Sequence, residues 1–288
     1  PDPPHKGEGA EQATKKRDLR MTLPRPYWHE MQAPDFQGGD KDWIAVLPVC
    51  AIEQHGPHLP VFTDACIGEG MVKRVVELLP EGLPATFLPL QSVGKSNEHI
   101  SSPGTLTFTW DTVIRMWLEI GDSIARAGVR KLVIVTSHGG NIPAAEIIAR
   151  ELRIKYDMLV VTTGWTAVGE PEGMVPDEEY LYGIHGGDVE TSIMLHFRPD
   201  LVKMDKAEDF RSSQLDLLKE FKRLRFHGAP ARAAWKAQDL NPKGAVGDAS
   251  RAAAERGRQM VDYQAAAFVE LLEEMARFDL ARLWKAPA

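Results

Sequence analysis

Glu53 and His55 lie two residues apart, Asp64 follows the Gly56-Pro57 turn, and His138 is followed by Gly139 and Gly140. Carboxylates and imidazoles are the oxygen and nitrogen donors that bind Zn2+ or Mn2+. If extended backbone runs through Glu53 and His55, both side chains point to one side, and the Gly-Pro turn can fold Asp64 back toward them. The same residues also suit helix caps and turns, with His55 and His58 facing solvent, so this segment alone leaves both uses open. A second His-Gly-Gly, His185-Gly186-Gly187, precedes Asp188 and Glu190. Glycines behind a polar side chain let a ligand approach the backbone, and they also suit an anion-binding turn at a helix start. Repetition of the device favours the first use. His99, in a Ser- and Asn-rich loop, is a candidate to line the same pocket.

Other chemistries are poorly served. There is no Gly-x-Ser-x-Gly nucleophile elbow, and no Gly-x-Gly-x-x-Gly follows the first strand. Cys50 and Cys66 sit in apolar surroundings and read as reduced core thiols rather than activated nucleophiles or a disulfide. A net charge of −7 argues against a phosphate-tracking surface, so no nucleic-acid partner is expected. No apolar run reaches the length of a membrane span, and the first residues lack the basic-then-apolar order of a signal peptide, so a cytoplasmic protein is expected.

These residues fall where strands end. The runs 43–49, 86–90, 131–136 and 158–163 are short, apolar and β-branched, and they alternate with helical patterns at 64–79, 111–127 and 142–156. Gly128 is placed to cap the second helix. A further helix is expected over 192–197 and a long Ala-rich one over 249–283. Strands alternating with helices predict an α/β fold with a mostly parallel sheet covered on both faces, whose ligands bind at the carboxyl ends of the strands. Residues 1–40 read as an N-terminal arm and 41–288 as a single domain.

The segments Glu53-Gln54-His55-Gly56-Pro57-His58-Leu59-Pro60 with Thr63-Asp64, Ser137-His138-Gly139-Gly140-Asn141, and His185-Gly186-Gly187-Asp188-Val189-Glu190-Thr191-Ser192 resemble the three signatures of the creatininase (creatinine amidohydrolase) family in order and spacing. The likeness runs over about 43–257 and includes Gly247-Asp248 and 252–257. It implies a three-layer α/β/α domain in a ring-like homo-oligomer, a hexamer. It also implies two divalent ions per subunit, Zn2+ or Mn2+, bridged by an aspartate and a water or hydroxide that attacks a substrate carbonyl.

Carried over by position, Asp64 would be the bridge, Glu53 and His138 would complete one metal, His55 would bind the other, and His185 would shuttle the proton. In creatininase itself a glutamate two residues after the His138 equivalent binds the second metal, whereas this chain has Gly140. Glu190 is the expected replacement and, with His185, the expected catalytic pair. Substrate contacts are expected from His58, Gly139, Asn141, Trp165 and Tyr182. Trp165 matches one of two substrate tryptophans, but Leu181 and Tyr182 occupy the region of the other, which argues against creatinine. The expected activity is hydrolysis of a small polar amide or cyclic amide. Deformylation, trimming of a peptide tail and ring opening of a diketo-inositol of the 3-dehydro-scyllo-inosose type are related alternatives, and a non-catalytic, metal-stabilised binding protein is one of another class.

Overall fold

The protein is represented by a computed structural model that describes residues 23–228 and 231–284. Its elements run β1 (Lys41–Val49), α1 (Thr63–Leu78), β2 (Ala85–Phe87), α2 (Trp110–Arg126), β3 (Val129–Thr136), α3 (Ile142–Tyr156) and β4 (Leu159–Gly164). There follow α4 (Asp177–Tyr182), α5 (Asp188–Phe197), β5 (Asp209–Phe210), α6 (Gln214–Glu220), α7 (Ala237–Leu240), β6 (Gly247–Asp248) and α8 (Ala254–Arg277).

The four main strands form one parallel sheet in the order β2-β1-β3-β4. Successive side chains of a strand point to opposite faces. Ile44 and Val46 of β1 and Val133 and Val135 of β3 accordingly pack with apolar residues of α1, α5 and α8. Ala45, Leu47, Leu132 and Ile134 pack instead with α2 and α3, around the fully buried Trp117. The result is three layers, helix-sheet-helix. Burial on both faces explains why these strands read as unbroken apolar runs rather than alternating ones.

Two devices lock the layers. A Cβ at Gly257 of α8 would strike the backbone carbonyl of Ser192, so α8 crosses α5 at backbone contact. Gly128, at φ 84°, turns the chain from α2 into β3, as expected of a C-cap glycine.

The long C-terminal helix is shorter than its sequence pattern, starting at Ala254 because Asp248 accepts from the Ser250 N–H and forms a separate 3-10 turn, Ala249–Arg251. Helix α5 starts earlier than expected, at Asp188, because the Glu179 carboxylate accepts the Asp188 N–H at 2.7 Å and caps it from a distant segment.

Of the expected arm, 1–22 lies outside the described residues. The remainder is not free of the domain: Tyr27 bridges to Phe87, and Trp28 stacks on Phe36, which packs edge-on against Trp43. Tyr27 packs against the α1/α5/α8 core, and Trp28, Met31 and Phe36 pack against the α2/α3 core. Among the described residues no helix is long and apolar enough to cross a membrane.

Candidate metal centre

Strand β1 ends at Val49, β3 at Thr136, and the two ends are in register. The sheet order reverses between these strands, so the loops that follow them part and leave a crevice. Glu53 and His55 come from the loop after β1, Asp64 from the first turn of α1, His138 from the turn after β3, His185 from the segment just before α5, where it bridges to Val246, and Glu190 from the first turn of α5. All lie at the carboxyl end of the sheet.

The side chains converge. Glu53, Asp64 and His138 offer one ligand atom each within 4.8 Å of one another, and so do His55, Asp64 and Glu190, and Glu53, His55 and His185. Asp64 belongs to two of these groups, with Oδ1 3.7 Å from His55 Nε2 and Oδ2 3.9 Å from His138 Nδ1. Glu190 Oε2 also stands 3.7 Å from His55 Nε2. Glu53, His55 and Asp64 are at most 1% exposed. Even so, Glu53 Oε1, His55 Nε2 and Asp64 Oδ2 have no hydrogen-bond partner. Buried polar atoms are rarely left unpaired, so three such atoms aimed into one space fit the donor set of a cation site.

Each histidine is held from behind. His55 Nδ1 donates to the Glu53 carbonyl at 3.0 Å, His138 Nε2 to the Lys95 carbonyl at 2.9 Å, and His185 Nε2 to the Gln54 carbonyl at 2.7 Å. The other nitrogen of each ring is left facing the carboxylates, as in metal-binding imidazoles whose outer N–H fixes the tautomer.

The electrostatics follow from burial and charge. Burial alone would raise Glu53, but His138, then His99 and His185, hold it well below the usual carboxylate range. Burial and then the charge of Glu53 push Asp64 up to about 7. Burial would lower His55, but Asp64 and Glu190 outweigh it and raise the ring to about 10. His138 is likewise raised against its burial, chiefly by Glu53. His185 is lowered to about 4 by burial and the charge of His55.

The residues expected to touch substrate are placed differently. His58 is buried, donates from Nε2 to Thr191 Oγ1 at 3.0 Å and stacks on Phe210. Trp165 is 1% exposed and packs on Phe268 at 4.7 Å within the α1/α5/α8 core. Asn141 is buried and ties loops together, donating to the Cys50 carbonyl and accepting from Lys95 N. Tyr182 lines a separate cleft with Glu178, Arg211 and Asp248. Gly139 is exposed beside His138.

Several polar residues at the centre had no signal in spacing or periodicity. Ser96 Oγ donates to Glu53 Oε2 at 2.5 Å. The Gln54 amide donates to His99 Nδ1 at 2.7 Å and to the Gly244 carbonyl at 2.9 Å. His99, named from its loop as a candidate to line the pocket, presents Nε2 to Glu53 Oε1 at 3.4 Å and stacks on His185. Gln54 also lines an open cleft of about 630 Å3 with Pro57, Ser102, Lys206, Glu208 and Lys243.

Comparison with known proteins gives a consistent picture. A family model described as creatinine amidohydrolase matches residues 29–272. The chain is 32% identical over 225 residues to the mycofactocin precursor peptide peptidase of Mycobacterium ulcerans (strain Agy99), covering 76% of this chain and 80% of that protein. It is 32% identical over 197 residues to the creatinine amidohydrolase of Pseudomonas putida, covering 63% and 74%. A solved Bacteroides fragilis chain described as a candidate creatinine amidohydrolase matches with a TM-score of 0.69 at 26% identity, over 84% of this chain and 92% of that one. With a family model spanning most of its length and a relative at this identity over three quarters of it, the chain belongs to the creatininase (creatinine amidohydrolase) family of hydrolases.

Proposed function

We propose that this protein is a metal-dependent amidohydrolase that cleaves a carbonyl–nitrogen bond in a small polar substrate. The observation that carries the reading is that three histidines each give one ring N–H to a backbone carbonyl and turn the other nitrogen toward the same buried carboxylates. Glu53, Asp64 and His138 would hold one ion and His55, Asp64 and Glu190 a second, with Zn2+ or Mn2+ suited to this mixed oxygen and nitrogen set. When bound, such ions supply Lewis acidity and lower the pKa of water toward neutrality.

The chain's own residues do the rest. Asp64, between the two histidines, holds both halves of the site at one distance. Glu190 Oε2 accepts the Gly186 N–H at 2.5 Å, which fixes the carboxylate against His55. His185 keeps its Nε2 proton on the Gln54 carbonyl, so Nδ1 is the atom that would take up the proton given up by the attacking water and deliver it to the leaving nitrogen as the carbonyl–nitrogen bond breaks. In this reading His185 takes part through that transfer, and Glu190 as the carboxylate held beside His55.

The peptidase relative acts, by its name, on a precursor peptide, which supports including peptide amides beside cyclic amides among the substrates. The reading places residues 41–288 in one domain and the protein in the cytoplasm as a homo-oligomer, a hexamer. The free, buried thiols of Cys50 and Cys66 support the compartment. Elemental analysis joined to a hydrolysis screen over creatinine, formamides, hydantoin-like rings, short peptides and oxidised inositols tests it. Stoichiometric metal with amide turnover is expected; a chain that takes up no divalent ion and hydrolyses nothing in the panel would refute it.

A further inference from the structure

His138 has carboxylates on both sides. Its Nδ1 faces Glu53 Oε1 at 3.2 Å inside the candidate centre, and its Nε2, already bonded to the Lys95 carbonyl, lies 3.4 Å from Glu98 Oε1 outside it. The Glu98 carboxylate stands directly over Gly140. A Cβ at position 140 would collide with Glu98 Oε1 and His138 Nε2, and would lie 2.6 Å from the Lys95 carbonyl oxygen. Glu98 can therefore occupy this place only because residue 140 has no side chain.

The 3-10 turn that carries Glu98, Asn97–His99, also delivers His99 to Glu53, and the preceding Ser96 donates to the other Glu53 oxygen. One loop thus buttresses the first ligand group from outside.

We propose that Glu98 is a positioning residue for the ion held by Glu53, Asp64 and His138, acting through His138. This rests on the metal reading above. A carboxylate on the outer nitrogen of a ligating imidazole fixes ring orientation and raises the basicity of the inner nitrogen, and its loss costs roughly 10- to 100-fold in metal affinity. Among the described residues Glu98 contacts His138 and none of His55, Asp64 and Glu190, so the effect falls on the first ion.

The test is equilibrium dialysis of the intact chain against buffered free Mn2+, followed by elemental analysis, for the wild type, Glu98→Gln, Glu98→Ala and Gly140→Ala, whose new Cβ must displace the carboxylate. In Glu98→Ala and Gly140→Ala one ion should be held as in the wild type and the other about 10- to 100-fold more weakly. Glu98→Gln should fall between, since its amide keeps the place over Gly140 beside Nε2 without the charge. Electron paramagnetic resonance should show a coupled manganese pair giving way to an isolated ion at limiting metal. If Gly140→Ala fails to fold, the two Glu98 variants decide the matter. Unaltered affinity for both ions in Glu98→Ala overturns this proposal alone, as does equal weakening of both. A wild-type chain that binds no ion overturns the metal reading with it.

Discussion

His55 Nε2 faces Asp64 Oδ1 across 3.7 Å, too far for a hydrogen bond and close enough for both atoms to bind one cation. The other Asp64 oxygen faces His138 from the second strand end. One carboxylate thus stands between two imidazoles that arrive from different loops.

Asp64→Asn is therefore expected to lose both ions rather than one. Burial and the charge of Glu53 already push Asp64 up to about 7, so a neutral isostere costs the metal-free fold little. Elemental analysis should return no stoichiometric metal while circular dichroism and the metal-free Tm stay near wild type. Retention of two tightly bound ions would remove Asp64 from the bridging position.

His185→Ala separates chemistry from metal binding. His185 stacks on both His55 and His99, and its Nδ1 is 3.6 Å from Glu53 Oε1, so it borders the ligand groups without belonging to the two that share Asp64. Metal content should be kept, and turnover of whichever amide proves active should fall by about 100- to 10,000-fold, the range of general acid–base catalysis. Loss of an ion with the ring would make it a ligand, and unchanged turnover would exclude it from proton transfer.

How much of this was legible in the sequence varies with the range of the contacts. Strands β1 and β3 are buried on both faces, so their apolar runs announce them, and polar residues just beyond such runs stand at the carboxyl edge. Glu53, His55, Asp64 and His138 were visible for that reason. Helices α4, α6 and α7 are four to seven residues long and have no apolar period to read. What anchors α4 is the Glu179 carboxylate, which accepts N–H groups from Asp188 and Asp248 and lies against Gly183, Gly187 and Gly247. The partnerships of Ser96, Glu98 and Gln54 join loops far apart in the chain and leave no local mark. Trp165 and His58, expected at the substrate, are packed on Phe268 and Phe210, long-range contacts that residue type does not announce.

Trp165 tests that distinction. Its ring fills the core against Phe268, and truncation of a fully buried tryptophan typically costs about 3–5 kcal/mol. Trp165→Ala should lower the urea midpoint by a corresponding amount. Trp165→Phe should keep most of the packing and leave KM within about twofold of wild type. A raised KM at unchanged stability would return Trp165 to the substrate site.

His58 sets a pH dependence. Burial, then the charge of His55, lowers its pKa from the ordinary 6.5 to about 4, so the ring is neutral in the fold. Below about pH 6.5 the unfolded chain takes up a proton there and the folded chain does not, so stability falls as pH drops from about 6.5 to about 4 and is fully present above that window. The two values differ enough for a loss of up to about 3 kcal/mol from this one group. His58→Phe keeps a ring against Phe210 but cannot titrate. Urea unfolding of the metal-free chain at pH 7.5, 6 and 4.5 should show a shallower acid loss in the variant than in the wild type. His185 and His99 are lowered as well, and they contribute equally to both proteins, so the difference isolates His58. Parallel pH profiles would show that His58 takes up its proton alike in the folded and unfolded chain, and so is not held neutral by its burial.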